Sequence, residues 1–294
     1  MVDWPCISEP GRRIPRIARF LSALPMLGLV ACSGLFYQPS RVDFFDPGVL
    51  GFRYRDIDAP TPSGHRIRLR LVHHLGDASR GLVVHFHGNA QNLTAHFRSV
   101  AWMGLLGWDL LLVDYSGYGA SEGEPSQRQT IEDAMTALDW VADSLLPSEQ
   151  GRIVLYGQSL GGPILLKAFP GWKARNKTDL VMTEGAFDSY RGIAMDAMER
   201  HWVTWPAVPL VPLLVSNAES PATSIPAVSP TPLLTISCLD DQVVPPGFQK
   251  HVDDLARPPH VFWAQAGCKH IQFFRSAAWR ERFEAFVDSL PSPR

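Results

Sequence analysis

Apolar and polar positions alternate with a period of two in residues 52–58 and 65–74, as half-buried strands require. Proline and glycine at residues 60–64 separate the two segments, which therefore predict an antiparallel pair. Apolar runs typical of further strands follow along the chain, at residues 81–87, 108–115, 152–156, 179–184, 233–238 and 260–264. The first two of these runs predict strands that are buried on both faces.

Helical segments alternate with these strands. They are predicted at residues 92–106, 126–146, 160–169, 247–255 and 277–290. Because alternating strands and helices favour parallel pairing through right-handed crossovers, the predicted fold class is α/β, with a mostly parallel sheet flanked by helices.

Residues 187–230 interrupt this alternation. The segment begins with tryptophans and methionines and ends in a proline-rich stretch. One interpretation is a cap-like insertion that covers an active site and supplies an apolar acyl pocket. The other is a surface insertion that packs on the sheet.

The N-terminal segment has the layout of a secretory signal. Four arginines lie between residues 12 and 19, and residues 20–30 are apolar apart from Ser22. This apolar part is shorter than the roughly 20 residues needed to cross a bilayer. The sequence Leu-Val-Ala-Cys at its end resembles the lipobox of bacterial lipoproteins, which implies cleavage after residue 31 and a lipid on Cys32. An ordinary signal peptide or a short anchor is the alternative.

The 294 residues are 46 % hydrophobic, with a formal net charge of −2. Since α/β folds of about 200–250 residues commonly form one domain, we expect a signal at residues 1–31, a tether at 32–51 and a single domain at 52–294. No run of basic residues indicates binding of nucleic acid.

Gly157-Gln158-Ser159-Leu160-Gly161 lies between a predicted strand and a predicted helix. A tight strand-to-helix turn holds a serine hydroxyl clear of the backbone, where a base can reach it, and small flanking residues permit the turn. The pattern predicts Ser159 as a nucleophile. An ordinary glycine-rich loop is the alternative.

A serine nucleophile needs a histidine base and an acid that orients it, in the chain order serine, acid, histidine. His270 directly follows the last predicted strand, so it is the predicted base. Asp240 and Asp241 follow the strand before it. Spacing favours Asp241 as the acid, with Asp240 as the alternative.

Two backbone N–H groups are expected to bind the oxyanion of the reaction intermediate. Leu160 begins the helix after the serine, and Asn89 lies in the loop after an early strand. His85 and His87 occupy alternate positions of that strand. Metal ligation is one reading of this pair, and structural histidines beside the oxyanion loop are the favoured one.

The glycine-rich stretch at residues 114–123 lacks the spacing of a nucleotide-binding loop and is interpreted as a structural loop beside the site. Cys238 and Cys268 each precede a segment assigned to the acid or the base. Their loops would lie on neighbouring strand ends, so a disulfide is feasible in an exported protein, and two buried thiols are the alternative.

Four motifs together resemble the α/β-hydrolase superfamily, in particular its lysophospholipase-like and serine-aminopeptidase-like members. They are His-Gly-Asn-Ala at residues 87–90, the glycine-rich stretch at 114–123, Gly-Gln-Ser-Leu-Gly-Gly at 157–162 and Asp-Gln-Val-Val-Pro at 241–245. Gln158 and the Cys-Lys pair before His270 depart from the usual pattern.

The resemblance implies a serine hydrolase that cleaves acyl esters through an acyl-enzyme, without a metal or an organic cofactor. The expected partners are an ester substrate, of small-molecule or lipid origin, and the membrane of a bacterial cell envelope, reached through the lipid on Cys32. A peptidase or acyltransferase with the same triad is an alternative, and a non-catalytic envelope binding module is another.

Overall fold

The structure is a computed structural model that describes residues 36–146 and 151–291. The predicted signal segment and Cys32 lie outside the described residues. Within the described part, the strands are β1 (Gln38–Pro39), β2 (Tyr54–Pro60), β3 (Arg66–Val72), β4 (Gly81–Phe86), β5 (Ala90–Gln91), β6 (Trp108–Val113), β7 (Arg152–Gln158), β8 (Leu180–Glu184), β9 (Leu233–Cys238) and β10 (His260–Gln265).

The α-helices of the same residues are α1 (Leu93–Leu105), α2 (Gln127–Ser144), α3 (Gly161–Ala168), α4 (Tyr190–Glu199), α5 (Val211–Leu214), α6 (Pro246–Leu255) and α7 (Ala277–Ser289). Short 3₁₀ helices occur at Pro47–Leu50, Phe169–Gly171, Arg175–Lys177, Trp205–Leu210, Pro221–Thr223, Ile225–Ala227 and Phe273–Arg275. None of these helices is long and apolar enough to cross a bilayer.

Eight strands form one sheet in the order β10-β9-β8-β7-β4-β6-β3-β2. The pairings β2 with β3 and β3 with β6 are antiparallel, and the remaining neighbours are parallel. The predicted antiparallel opening pair and mostly parallel sheet are therefore confirmed.

Helices cover both faces of the sheet. Neighbouring residues of β4 point to opposite faces, so Val83 and Val84 belong to different apolar clusters. The cluster of Val84 includes residues of α2, α3 and α6, and the cluster of Val83 includes residues of α1 and α7. Burial on both faces explains why these strands are apolar throughout.

Residues 36–51 are part of the domain, where the sequence had suggested a tether. Phe36 and Tyr37 are buried in the core, and β1 pairs in parallel with β5. A strand of two residues has no periodicity by which sequence alone can find it.

The insertion at residues 187–230 contains α4 and α5 between β8 and β9. Ile225 and Val228 are buried in the same core as α3, so the end of the insertion packs against the domain. The guanidinium group of Arg200 donates to the backbone carbonyl of Gln242, which links the end of α4 to the loop after β9.

The carboxyl ends of the parallel strands meet at one edge of the sheet. Ser159 directly follows β7 and Gly185 directly follows β8, while Asp241 and His270 lie in the loops after β9 and β10. Because β7, β8, β9 and β10 are consecutive neighbours, this topology brings the predicted site residues to one place.

Candidate active site

Ser159 occupies the tight turn between β7 and α3. Its φ of +52° lies in the left-handed region, which costs energy for a residue with a side chain. The turn is held by a hydrogen bond from the Ser159 N–H to the Glu184 carbonyl, at 2.8 Å. A Cβ atom at Gly161 would lie 2.0 Å from the carbonyl oxygen of Phe86, so only glycine fits there.

Asp241 binds the imidazole of His270. Oδ2 lies 2.7 Å from His270 Nδ1, and Oδ1 accepts the backbone N–H groups of Val243 and Val244 at 2.8 and 3.0 Å. Asp240 points elsewhere, because its Oδ2 accepts the N–H of Gly267 at 2.6 Å. The structure thus places Asp241, and not Asp240, against the predicted base.

Gly185 joins the serine turn to this pair. A Cβ at Gly185 would lie 3.1 Å from His270 Cε1 and 3.3 Å from Asp241 Oδ2, so the backbone after Glu184 passes directly beside both side chains. The carbonyl of Glu184 is also the acceptor for the Ser159 N–H. The imidazole of His270 is hydrogen-bonded to Asp241. Within residues 36–146 and 151–291, no hydrogen bond joins this imidazole to Ser159 Oγ.

Asn89 and Leu160 flank Ser159 from two sides. A Cβ placed at Gly88 would lie 3.3 Å from the Cβ of Ser159, so the loop after β4 touches the serine turn. The Asn89 carbonyl accepts the Gln38 N–H at 2.9 Å and the Tyr118 hydroxyl at 2.6 Å, which fixes this loop from β1 and from the glycine-rich stretch. Leu160 is the residue before α3, where the helix dipole favours negative charge.

The two histidines of β4 are bound within the protein. His85 Nε2 lies 2.9 Å from Gln158 Oε1, while His87 contacts the Gly88 carbonyl and Asp114 Oδ1 at 2.7 and 3.2 Å. Burial lowers the pKa of His85 to about 3, so this ring is neutral at physiological pH. No group of three or more potential metal ligands occurs in the described part of the chain.

The glycine-rich stretch at residues 114–123 is cross-linked to its surroundings. Asp133 of α2 accepts the N–H and the hydroxyl of Ser116, at 2.7 and 2.9 Å. Ser121 donates to the Asp114 carbonyl and accepts the N–H of Arg68. These bonds fix the loop that carries Tyr118, the partner of Asn89.

A buried polar network that the sequence analysis missed lies behind the serine turn. Glu184 Oε2 accepts hydrogen bonds from Gln158 Nε2, at 2.9 Å, and from the Tyr156 hydroxyl, while Oε1 accepts the Phe273 N–H at 2.9 Å. The carboxylate raises the pKa of the already buried Tyr156 further. A glutamate that ends an apolar strand was the available signal, because burying a carboxylate requires several donors.

A cavity of about 520 Å³ opens beside His270. Its walls are formed by residues 95–102 of α1, the ends of β7 and β8, and the segment from His270 into α7. No described residue of the insertion at 187–230 lines it. The apolar pocket that the cap interpretation expected from the insertion is therefore not part of this cavity.

Cys238 and Cys268 form a disulfide, with their Cα atoms 5.3 Å apart. Cys238 ends β9, three residues before Asp241, and Cys268 lies two residues before His270. The bridge therefore ties together the loops that carry the Asp241–His270 pair.

Comparison with known proteins adds the family. The sequence model described as serine aminopeptidase, S33, matches residues 77–228, just over half of the chain. The chain belongs to this family of α/β-hydrolases. The S33 hydrolase is similar to YfhR of Escherichia coli K12, with 27 % identity over 96 % of this chain and 98 % of that protein. It is also similar to the α/β-hydrolase domain-containing protein WAV2 of Arabidopsis thaliana, with 29 % identity over 74 % and 72 % of the two chains.

The fold of this S33 hydrolase resembles that of the Pyrococcus furiosus esterase Pf2001. The two superpose with a TM-score of 0.68 over 86 % of this chain and 99 % of the esterase, at 19 % identity. The predicted α/β-hydrolase fold is thereby confirmed, and family membership makes the protein a hydrolase.

Proposed function

We propose that this hydrolase cleaves carboxylic esters through a covalent acyl-enzyme, with Ser159 as nucleophile, His270 as general base and Asp241 as its orienting acid. The observation that carries the proposal is the 2.7 Å contact of Asp241 with His270 beside a serine held at a φ of +52°. A strained serine next to an oriented imidazole is the arrangement that nucleophilic acyl transfer needs.

The carboxylate fixes the tautomer of the base. Because Asp241 accepts from Nδ1, that nitrogen carries the proton and Nε2 is left as the acceptor. The proposal requires the Ser159 hydroxyl to donate to Nε2 in the substrate complex, and such bonds commonly tighten only when substrate is bound.

The reaction then proceeds in two balanced halves. Ser159 Oγ forms a bond to the ester carbonyl carbon while its proton moves to His270 Nε2, and the backbone N–H groups of Asn89 and Leu160 stabilise the oxyanion. Collapse breaks the bond to the alcohol, which leaves with the proton from Nε2. Water repeats the sequence on the acyl-enzyme, releasing the acid and restoring Ser159.

The choice of esters is supported by the neighbour Pf2001, which is named an esterase. The test measures hydrolysis of p-nitrophenyl esters of graded chain length by the wild type and by the Ser159→Ala and His270→Ala variants. We expect turnover in the wild type and its loss in both folded variants. Full turnover in either variant contradicts the proposal, and cleavage of peptide p-nitroanilides in place of esters favours the peptidase alternative.

The second part of the proposal places the protein on the membrane of a bacterial cell envelope, through a lipid on Cys32. The Phe36 ring contacts the ring of Tyr190, the first residue of α4, at 5.2 Å. Cys32 is four residues before Phe36 in the sequence. Four residues span at most about 14 Å, which is the greatest distance that can separate Cys32 from Phe36. The insertion that α4 begins exposes a group of large apolar side chains, with Trp202 and Leu213 exposed by 88 % and 82 %.

An exposed apolar group of this kind is suited to the interface of a lipid bilayer. The disulfide also fits a protein exported to an oxidising compartment. Incorporation of labelled fatty acid in a bacterial host tests the anchor: the wild type should be labelled and found with membranes, and Cys32→Ser should be neither. A labelled Cys32→Ser variant, or an unlabelled wild type, contradicts the anchor without touching the catalytic proposal.

A further inference from the structure

We infer that the cavity beside His270 binds an anionic group, a phosphate or a carboxylate, carried by the alcohol part of the substrate. This inference rests on the proposed function and names the class of ester that the site selects. Its basis is a set of three arginines on the cavity wall: Arg98 of α1, Arg275 at the end of the 3₁₀ helix before α7, and Arg280 of α7.

Within residues 36–146 and 151–291, none of these three guanidinium groups forms an ion pair with a carboxylate. Within the described part of the chain, the carboxylate pairs of arginine lie elsewhere, for example Arg70 with Asp56 at 2.6 Å and Arg80 with Glu284 at 2.8 Å. Arg98 and Arg275 are exposed at the cavity, and Arg280 is partly buried. The cavity wall therefore carries three guanidinium charges that no ion pair among the described residues neutralises.

Among the described residues that line the cavity, Glu184 is the one carboxylate. It forms no ion pair with any of the three arginines. It is buried, and both of its oxygens already accept hydrogen bonds, from Phe273 on one side and from Gln158 and Tyr156 on the other. An incoming anion thus meets three guanidinium groups on the wall of one cavity, and their positive charges act on it together.

Two of the arginines lie near aromatic rings, and one of these two also donates to a backbone carbonyl. Arg280 Nε donates to the carbonyl of Phe274 at 2.5 Å, and its guanidinium carbon lies 5.6 Å from the ring centroid of Trp102. The guanidinium carbon of Arg98 lies 6.0 Å from the ring centroid of Phe45. Guanidinium groups suit phosphate and carboxylate oxygens, because their planar forks of N–H donors match the geometry of those oxygens.

The position of the cavity assigns the anion to the alcohol side of the ester. His270 lines the cavity and Ser159 does not. In the proposed reaction His270 hands its proton to the leaving alcohol, whereas Ser159 keeps the acyl group. When the leaving alcohol lies next to His270, the part of the substrate that occupies the cavity is therefore a substituent of that alcohol.

The experiment compares three soluble esters that share one butyryl group: monobutyrylglycerol, butyrylglycerate and butyrylglycerol phosphate. They differ in carrying no charge, a carboxylate or a phosphate on the alcohol, so they also distinguish the two anionic groups. Butyrate release is measured for the wild type and for Arg98→Gln, Arg275→Gln and Arg280→Gln. Arg282→Gln is the matched control, because this exposed arginine of α7 lies outside the cavity.

We expect kcat/KM of the wild type to be higher for at least one charged ester than for the neutral one by roughly tenfold or more, as hydrogen bonds to charged groups allow. Each lining variant should reduce that ratio, and Arg282→Gln should leave it unchanged. The preference should also weaken as salt is raised. Equal kcat/KM for all three esters in an active wild type, or an equal loss of the ratio in Arg282→Gln, overturns the inference.

Calorimetric binding of butyrylglycerol phosphate to Ser159→Ala separates the two proposals. Binding that weakens in Arg98→Gln,Ser159→Ala supports the anion site even if the wild type hydrolyses none of the esters. Binding that is unaffected by the arginine change, or no binding, overturns the anion site while leaving ester hydrolysis by Ser159 intact.

Discussion

The Glu184 carboxylate accepts the backbone N–H of Phe273 at 2.9 Å, and through this bond the end of β8 holds the segment that follows His270. The same residue accepts the Ser159 N–H through its main-chain carbonyl, at 2.8 Å. One residue therefore fixes the backbone of the proposed nucleophile and the segment of the proposed base. We regard Glu184 as a positioning residue, since its carboxylate is occupied by protein donors.

Replacing Glu184 by glutamine tests this role. The amide would turn one N–H group toward Phe273, Gln158 or Tyr156, so a buried donor would lose its acceptor. We expect a loss of about 1–3 kcal/mol in the free energy of unfolding and a fall in kcat with little change in KM. Urea unfolding and steady-state kinetics measure both. The control is Glu219→Gln, which changes a partly exposed carboxylate 3.7 Å from Lys167. Wild-type kcat in the Glu184 variant would contradict the positioning role.

Asp241→Asn and Asp240→Asn form a matched pair of neighbouring substitutions. Of the two aspartates, Asp241 contacts His270. In Asp241→Asn the neutral amide no longer fixes the proton on Nδ1, so kcat should fall by roughly 10³-fold or more. Asp240 binds the Gly267 N–H, so its replacement should cost less than about tenfold. Esterase kinetics of the two folded variants decide the matter, and similar losses in both would show that the acid has been misassigned.

Loss of the disulfide should lower both the free energy of unfolding and the esterase activity. The bridge closes a segment with a sequence separation of 30 that includes Asp241, so opening it frees the loops of the acid and the base. We expect Cys238→Ser,Cys268→Ser to unfold with about 2–4 kcal/mol less free energy. Thermal unfolding with and without a reductant measures this in the wild type. If a reductant lowers the unfolding temperature of the double variant as much as that of the wild type, the bridge is not the cause of the lower stability.

Stability should fall in acid partly because His85 resists protonation. Its pKa is about 3 in the folded protein, against 6.5 as the usual value, so below about pH 6.5 the unfolded chain binds a proton that the folded chain refuses. Unfolding free energy should therefore decrease as pH falls from about 6.5 toward 3, by about 1 kcal/mol per pH unit from this group.

The variant His85→Gln removes this titration and keeps an N–H donor for Gln158. Urea unfolding between pH 7 and pH 4 should give a shallower decline for it than for the wild type. An unchanged slope in His85→Gln would mean that His85 takes up its proton normally in the folded state.

Much of the fold could be predicted because it depends on local patterns. Alternation gave the antiparallel pair β2 and β3, and continuous apolar runs gave the parallel strands, since each type of burial has its own sequence period. Ser159, Asp241 and His270 could be predicted as candidates because each follows a strand, and parallel strands end at one edge. Spacing favoured Asp241 over Asp240, and the loop geometry agrees, because it directs Asp240 to Gly267 and Asp241 to His270.

The remaining features depend on contacts between distant segments. The arginine cavity combines α1 with the segment after β10, and no local pattern relates Arg98 to Arg280. The Glu184 network likewise joins β7, β8 and the segment after His270. β1 is recognisable only through its pairing with β5. Such features are set by packing in three dimensions, which single-sequence periodicity does not encode.

The most direct measurement of the central claim is covalent labelling with a fluorophosphonate, followed by mass spectrometry of the modified peptide. A serine activated by an oriented imidazole attacks such a reagent, whereas an ordinary buried serine does not. We predict a single adduct on Ser159 of the wild type, strongly slowed in His270→Ala and absent in Ser159→Ala. An adduct on another residue, or an unlabelled wild type that still hydrolyses esters, would contradict the account.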